Sequence, residues 1–134
     1  MGIDFGDRTI GLAISDRLGI TAQPLASFRR RTEKDDEEYF KALITEHEIT
    51  EIVIGLPLRM DGSSGTRAEK TREFARWLEK ILDLPVFFWD ERLTTKQAIK
   101  ILSQGKIAPK DKKKIEDQVS AVIILSTYLE SKRA

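Results

Sequence analysis

At 134 residues and 15.3 kDa the chain has the size of one domain, which we expect to span residues 1–134 and to fold without disulfides, since it contains no cysteine. Apolar residues make up 40% and charged residues 34%, which argues against long disorder, and no apolar run or signal-peptide layout indicates a membrane or secretion, so we expect a cytoplasmic protein with no membrane partner. The net charge of +1 excludes a global field that would hold a polyanion, and nucleic-acid contact would have to use local basic clusters such as Arg29–Arg31 and the lysines between 106 and 114.

The first thirty residues predict three antiparallel strands. The glycine-bounded segment Gly2–Gly6 and the alternating segment Ile10–Ile14 have the pattern of a hairpin. A third extended segment, from about Ala22 to Arg29, follows a bend, and Pro24 within it favours a strand start or an edge strand.

The middle of the chain predicts a helix, a strand and a second helix. Apolar residues at helical spacing predict an amphipathic helix over 34–48, and a strand follows over 51–55. After a loop over 56–65, Thr66 and Glu69 have the spacing of a capping box and predict a helix that ends near Leu82.

The last third predicts one more strand and further helices. The apolar run 85–89 is typical of a strand that is covered on both faces. Thr94 and Gln97 have capping-box spacing and predict a short helix through Leu102, which Gly105 would close before a lysine-rich loop. The segment 115–129 is apolar almost all round and predicts a buried helix.

This order of elements predicts an α/β fold. Three antiparallel strands followed by two strands that are each reached through a helix make a mixed five-stranded sheet, in which the last two strands are parallel and helices pack on both faces. Such a layout serves many functions, so the candidate site must come from individual residues.

Carboxylates occur at three places where they invite an explanation. Asp4 lies between apolar residues of a strand that should be central, where a charge needs compensation, although an Asp that caps a turn or pairs with an arginine explains it equally well. Asp90-Glu91-Arg92 follows the apolar strand, at the end where open α/β sheets bind ligands, and is also common turn chemistry. Glu116 and Asp117 open the last helix, where the helix dipole alone favours acids, and spacing does not choose between them.

Carboxylates gathered from these three places would repel one another unless they shared a cation. Hard oxygen ligands suit Mg²⁺ or Mn²⁺, as one or two ions, and such ions activate water for attack on a phosphodiester. The residues alone therefore favour metal-dependent hydrolysis in nucleic acid.

Seven short segments, in this order along almost the whole chain, resemble the YqgF family: Gly2–Gly6, Ile10–Ala13, Ser15–Asp16, Gly55–Leu58, Met60–Ser63, Asp90–Thr95 and Asp117–Gln118. The resemblance implies the ribonuclease-H-like fold and similarity to the Holliday-junction resolvase RuvC. It also implies an endonuclease that processes the 5' end of pre-16S rRNA, with RNA, branched DNA or ribosomal particles as partners and a Holliday junction resolvase as the alternative. A resolvase would need a dimer, and the sequence leaves monomer or homodimer open.

The resemblance also assigns the site residues. Catalytic and metal-binding roles fall on Asp4, Glu91 and Asp117, which separates Asp117 from Glu116. Arg92 would clamp a phosphate or pair with Asp90, and the loop after Gly55 would lie near the substrate. Seven basic residues are expected to contact nucleic acid: Arg8, Arg59, Arg67, Arg92, Lys112, Lys113 and Lys114. Family members often have a second basic residue after position 8, where this chain has Thr9, and phosphate contact there would be weaker.

Two rival functions use the same residues differently. The Asp-Phe-Gly hairpin also resembles the phosphate-binding element of the actin and Hsp70 ATPases, but those proteins clamp nucleotide between two such domains and this chain supplies one. The other rival is a non-catalytic RNA- or ribosome-binding module, whose affinity should fall steeply with salt and survive Asp4→Asn.

Overall fold

The computed structural model describes the backbone of residues 1–93 and 109–133 and the side chains of residues 1–93 and 118–132. Five strands form one sheet: β1 (Gly2–Asp4), β2 (Thr9–Ser15), β3 (Ala22–Arg29), β4 (Ile52–Leu56) and β5 (Val86–Asp90). Their order across the sheet is β3-β2-β1-β4-β5. Three helices are described: α1 (Glu33–His47), α2 (Thr66–Leu82) and α3 (Pro109–Arg133). The mixed sheet predicted from the sequence is confirmed.

The central strand β1 joins the two halves of the sheet. It pairs antiparallel with β2, which pairs antiparallel with β3, and it pairs parallel with β4, which pairs parallel with β5. Pro24 lies in β3, the strand at one edge, where a missing N–H costs no sheet hydrogen bond on the outer side. The carboxyl ends of β1, β4 and β5 therefore meet at one edge of the sheet.

One face of the sheet packs against α1 and α2 through a core rich in aromatic rings. Ile3 and Phe5 reach this core from β1 and the turn after it, and Phe40 and Phe74 reach it from the two helices. The rings of Phe5 and Phe74 have centroids 4.5 Å apart. Burial of this much apolar surface is the main stabilising contribution to the fold.

The other face packs against α3 through smaller residues. Ala121, Ile124 and Leu125 of the helix are buried against Ala13 and Val53 of the sheet. A Cβ on Gly2 would lie 2.7 Å from the Leu125 Cβ and 3.0 Å from the Ala121 carbonyl oxygen, so glycine is needed there for the helix to approach β1 closely.

Three local predictions were wrong. The cap of α2 is Gly65, Thr66 is its first helical residue, and no side chain caps it. Strand β5 is an edge strand rather than one covered on both faces, and Phe87 and Phe88 are 41% and 43% exposed. The final helix begins at Pro109, not near residue 115, because proline is well suited to a first helical turn, so the lysines at 110 and 112–114 lie on a helix and not in a loop.

The short helix predicted after Thr94 lies outside the described residues. Within the described parts of the chain, no helix combines the length and the apolar character that crossing a bilayer requires.

Candidate active site

The alternation of side chains along β1 places Asp4 on the face covered by α3. Gly2 faces α3, and Asp4, two residues later, points to the same side. Ile3 and Phe5 point to the opposite, aromatic side. Asp4 is partly buried at the carboxyl end of the strand, and it has interaction partners. An acid thus sits on the α3 side of the sheet, at the carboxyl end of parallel strands, which is where open α/β sheets bind ligands.

Asp4 lies between two glycines on the neighbouring strands. Gly11 of β2 is its partner across the antiparallel ladder. On the other side Ile3 is paired with Ile54, which brings Asp4 level with Gly55 of β4. Both glycines are buried. A glycine inside a strand marks close approach of another group, and at Gly55 that group can be identified.

The carboxylate of Glu91 occupies the space above Gly55. Its Oε1 atom lies 2.5 Å from the point where a Cβ on Gly55 would sit, and the Cδ1 atom of Ile124 lies at the same distance. Glu91 opens a 3-10 turn, Glu91–Leu93, directly after β5, and its side chain is directed back across β4 towards β1. Since neighbouring strands are about 4.8 Å apart, the Glu91 carboxylate lies over the strand that is next to Asp4.

Burial has the largest effect on the pKa of Glu91. Removal from water disfavours the ionised form and raises the pKa of Glu91 above its usual value. The positive charge of Arg67 lowers that pKa, and the negative charge of Asp90 raises it, both by less than burial does. A carboxylate with a raised pKa gains from the arrival of a cation, which would replace the lost hydration.

Asp90 and Arg92, the two residues that flank Glu91, form a hydrogen-bonded ion pair. The guanidinium of Arg92 donates to both carboxylate oxygens of Asp90 at 2.7–3.1 Å, and the Arg92 backbone N–H donates to Asp90 Oδ1 at 2.9 Å. The pairing lowers the pKa of Asp90. Of the two roles expected for Arg92, the structural pair with Asp90 is thus observed, and it fixes the turn that directs Glu91 across Gly55.

Arg92 also ties down the loop between β4 and α2. Its Nη1 atom donates to the Met60 carbonyl oxygen at 3.2 Å. Within the loop, Asp61 Oδ1 accepts from the backbone N–H of Ser63 at 2.9 Å and from its hydroxyl at 2.6 Å, and these bonds lower the pKa of Asp61. Gly55 and Leu56 belong to β4, so this loop begins one residue after the predicted boundary.

The basic residues predicted to contact nucleic acid surround this edge. Arg8 is exposed in the β1–β2 turn, Arg59 is exposed in the β4–α2 loop, and Arg67 is exposed in the first turn of α2. Lys112, Lys113 and Lys114 lie in the first turns of α3, and their side chains are outside the described residues. Arg30, from the other basic cluster, lies on the opposite face of the sheet, over the rings of Phe5 and Phe74.

Asp117 can be placed by its backbone alone. Helix α3 ends at the amino ends of β1 and β4, where Lys132 pairs with Glu51 at 3.0 Å, so it runs antiparallel to β1. Ala121 lies over Gly2. Position 117 is four residues earlier, about 6 Å along the helix axis. Asp4 is two residues beyond Gly2, about 6.6 Å along the strand, so the two positions are level.

In this arrangement Asp4 lies between Gly11 and Gly55, and the Glu91 side chain lies over Gly55. Among the described side chains no cluster of three potential metal ligands occurs, and the third predicted acid, Asp117, is outside that set. The sequence motifs contained Gly11 and Gly55, but the pattern did not predict that these glycines flank Asp4 or that Gly55 leaves space for the Glu91 side chain. The signal available was a glycine inside an otherwise apolar strand.

Two solved structures have the same fold. The chain superposes on the fowlpox virus resolvase, from a crystal structure of its complex with Holliday junction DNA, with a TM-score of 0.59 and 14% identity over 99% of this chain and 97% of that chain. It superposes on RuvC from T. thermophilus, solved with a Holliday junction substrate, with a TM-score of 0.58 and 15% identity over 99% of this chain and 94% of that chain. The ribonuclease-H-like fold implied by the sequence motifs is confirmed.

Curated relatives are much closer in sequence. A protein of Halothermothrix orenii is 50% identical over 129 residues, 96% of this chain and 92% of its own length, and one of Koribacter versatilis is 46% identical over 130 residues, 97% of this chain and 85% of its own length. Both carry the name pre-16S rRNA nuclease. A family model described as RuvX: Holliday junction resolvase matches residues 1–131. The chain therefore belongs to the RuvX family of nucleases, the YqgF family that its motifs predicted.

Proposed function

We propose that the chain is a metal-dependent endonuclease that hydrolyses phosphodiester bonds in the precursor of 16S rRNA, with Asp4, Glu91 and Asp117 as the catalytic and metal-binding residues. The observation that carries this proposal is the position of the Glu91 carboxylate over Gly55, the residue of β4 that is level with Asp4, at the carboxyl ends of parallel strands. Two acids brought together in a partly buried place are costly unless a cation compensates them.

The residues fit Mg²⁺ or Mn²⁺ and suit few other ions. The donors are carboxylate oxygens, and the chain contains no cysteine and one histidine, His47, which ends α1. Burial raises the pKa of Glu91, so the ionised carboxylate is disfavoured and would gain from a bound cation. One or two bound ions would lower the pKa of a water molecule and stabilise the leaving oxygen.

The side chains of the chain have separate tasks in this proposal. Asp4 and Glu91 bind the ion in their ionised forms, and because burial raises the pKa of Glu91, protonation of this carboxylate competes with the ion as the pH falls. Arg67 stands close enough to Glu91 to affect its pKa, and it orients the phosphate that is cleaved. Arg92 holds the turn and the loop beside the site. The remaining basic residues contact the nucleic-acid backbone: Arg8, Arg59, Lys112, Lys113 and Lys114.

The choice of substrate rests on the relatives. Those that share about half of their residues with this chain are named for pre-16S rRNA, and a substrate of that kind implies a cytoplasmic protein that meets RNA or ribosomal particles. The second candidate is branched DNA, favoured by the family description and by the resolvases of the same fold. Junction resolution would require two copies of the chain, one for each of the strands that are cut.

The experiment compares both substrates under the same conditions. Purified protein is incubated with labelled precursor RNA and with a synthetic four-way DNA junction, in Mg²⁺, Mn²⁺ or chelator. We expect the RNA to be cut faster, no cutting in chelator, and a loss on the order of 10³-fold for Asp4→Asn, the scale seen when a catalytic group is removed.

Asp83→Asn serves as the matched control, because Asp83 ends α2 in a left-handed conformation (φ 53°) that asparagine also accepts. Full activity of this variant separates a local effect at Asp4 from a general loss of charge. Retained cutting by Asp4→Asn would contradict the proposed site. Tight RNA binding with no cutting in any metal would favour the binding module, and faster cutting of the junction would favour the resolvase.

A further inference from the structure

A cavity opens on the face of β1 that is opposite to Asp4. It has a volume of about 450 Å³ and lies between the β1–β2 turn, the segment that joins β3 to α1, and α2. Its walls include the rings of Phe5, Phe74 and Trp77 and the charged groups of Arg30, Lys70 and Glu73. The acids proposed for catalysis are not among its lining residues. A nucleotide-sized ligand would fit this volume.

Arg30 is held against the aromatic wall of this cavity. The carbon at the centre of its guanidinium lies 5.2 Å from the ring centroid of Phe5 and 5.5 Å from that of Phe74. The nearest Asp36 oxygen is 3.9 Å from Arg30 Nε, and this buried nitrogen makes no hydrogen bond to the described residues. The guanidinium is thus fixed by stacking on the two rings, which makes it a preformed platform for a planar group.

The charges around the cavity favour a base over a phosphate. Three cationic residues line it, but so do four acidic ones, Asp7, Glu33, Asp36 and Glu73. A phosphate would be repelled by this excess of carboxylates. A neutral nucleobase has donors and acceptors that match both kinds of charged group, and its flat ring can stack on an aromatic side chain or on a guanidinium.

The position of the cavity connects it with the proposed active site. Phe5 lines the cavity, and Asp4, the preceding residue, faces the other way. On α2, Arg67 acts on Glu91, while Lys70, three residues later, lines the cavity. Arg67 and Lys70 are therefore separated by about 4.5 Å along the axis of α2. This distance is comparable with one nucleotide step of about 3.4 Å in a duplex strand.

We propose that this cavity, which we name the base pocket, receives one extruded nucleobase of the substrate next to the phosphodiester that is cleaved. The pocket rests on the proposed function for its place in the reaction, because that function supplies the strand that crosses the carboxyl end of β1. A backbone held at Asp4 and Glu91 can then direct the adjacent base around the β1–β2 turn into the pocket.

The first test measures base binding without any cutting. Trp89→Phe leaves Trp77 as the one tryptophan of the chain, and the Trp77 indole N–H, which donates to Glu33 at 2.9 Å, then gives a single indole signal in ¹H–¹⁵N spectra. This protein is titrated with GMP, AMP, CMP and UMP, and with ribose 5-phosphate and inorganic phosphate. We expect saturable shifts of the signal with the nucleotides, and affinities about tenfold weaker for ribose 5-phosphate, the scale of base stacking.

Variants identify the binding groups. Arg30→Met keeps an apolar side chain on the rings of Phe5 and Phe74 but removes the guanidinium, and it should weaken nucleotide binding about tenfold. Arg76→Met, an exposed arginine of α2 outside the lining, is the matched control and should bind as the parent does. Asp4→Asn should also bind nucleotides normally, since it lies on the other face.

The outcomes separate this proposal from the nuclease itself. Equal binding of ribose 5-phosphate and GMP, unchanged binding by Arg30→Met, or no shift with any nucleotide would overturn the base pocket, whatever the cutting assay shows. A second measurement removes one base at a time from a cleavable oligonucleotide. Base loss at one position beside the cut should slow wild-type cleavage about tenfold and leave Arg30→Met unaffected, whereas equal sensitivity of the two proteins would overturn the proposal.

Discussion

The two faces of the central strand β1 differ in what they bury. On the side of α1 and α2, Ile3 is fully buried and Phe5 packs ring to ring with Phe74. On the side of α3, Gly2 lets the helix approach, and Asp4 lies between two glycines. Four consecutive residues thus contribute to a dense core on one side and to a polar site on the other.

The difference shows how a short strand can accommodate the partly buried carboxylate of Asp4, which is energetically unfavourable. Period-two alternation separates the two faces completely, so packing on the aromatic side can be strong while the acidic side has room for ligands. The aromatic face fixes the backbone of β1, and the backbone fixes Asp4. Outside the base pocket, changes on the aromatic face should therefore affect stability, and changes on the acidic face should affect cleavage.

Among the substitutions that test the difference between the two faces, Gly55→Ala should have the largest effect on the cleavage rate. The added Cβ would lie 2.5 Å from both Glu91 Oε1 and Ile124 Cδ1, so the Glu91 side chain must move away from Asp4. We expect cleavage to fall about 100-fold, the upper range for displaced metal-site groups. The measurement is the single-turnover rate at saturating Mg²⁺.

The matched control for this substitution is Gly19→Ala. Gly19 lies in the β2–β3 turn at φ 69°, with nothing within 4 Å of an added Cβ. The left-handed conformation costs roughly 1–2 kcal/mol for alanine, so stability should fall while the cleavage rate of the folded protein stays unchanged. Equal rates for Gly55→Ala and the parent protein would show that Glu91 does not act over Gly55.

Phe40→Leu tests the aromatic face. Phe40 is fully buried among the rings of Phe28, Phe74 and Trp77, and a smaller side chain loses contacts and leaves a cavity. We expect the free energy of unfolding in urea to fall by roughly 1–3 kcal/mol. The cleavage rate, measured well below the melting temperature, should not change, and a parallel loss of rate would mean that the two faces are not independent.

A smaller effect on cleavage should follow Arg92→Lys. Lysine keeps the charge but loses the two-pronged contact with Asp90 and the simultaneous bond to the Met60 carbonyl. The turn that directs Glu91 and the adjacent loop should loosen, and we expect a rate loss of about tenfold with little change in stability. Lys41→Met, which removes an exposed ion pair on α1, is the control and should not affect the rate.

The mildest effect concerns Glu91 in the metal-free protein. Burial raises its pKa in the folded state, so the ionised carboxylate destabilises the fold above that pKa, and the contribution favours folding only when Glu91 is protonated. Glu91→Gln should therefore raise Tm at neutral pH in chelator, at roughly 4 °C per kcal/mol. The gain should vanish below the ordinary glutamate pKa of about 4.3. A gain that persists at low pH would rule out this cause.

Much of the fold was predictable because strand alternation and helical spacing are local properties of the sequence. The strand over Ala22–Arg29 and the end of α2 at Leu82 lie where the pattern indicated. The wrong predictions depended on longer-range facts. Whether an apolar run such as Val86–Asp90 is central or at an edge is decided by the order of strands, and its residue types do not encode that order.

The candidate site was predictable residue by residue but not as a geometry. The motifs indicated Asp4 and Glu91, and the structure adds that Glu91 lies over Gly55, which the register of β1 with β4 makes level with Asp4. The pairing of Arg92 with Asp90 was one of the two roles that the sequence predicted for Arg92, the other being a phosphate contact. The base pocket was not predicted as a cavity, because its walls come from segments that are distant along the chain, although the basic cluster Arg29–Arg31 that contributes to it was apparent in the sequence.

The central claim is that Asp4 and Glu91 bind one divalent ion together. It is tested most directly by titrating Mn²⁺ into the protein and following free Mn²⁺ by electron paramagnetic resonance. We expect Asp4→Asn and Glu91→Gln each to weaken binding at least about tenfold, and the double variant to lose little more, because the two groups serve one site. Unchanged Mn²⁺ affinity in the double variant would contradict the account.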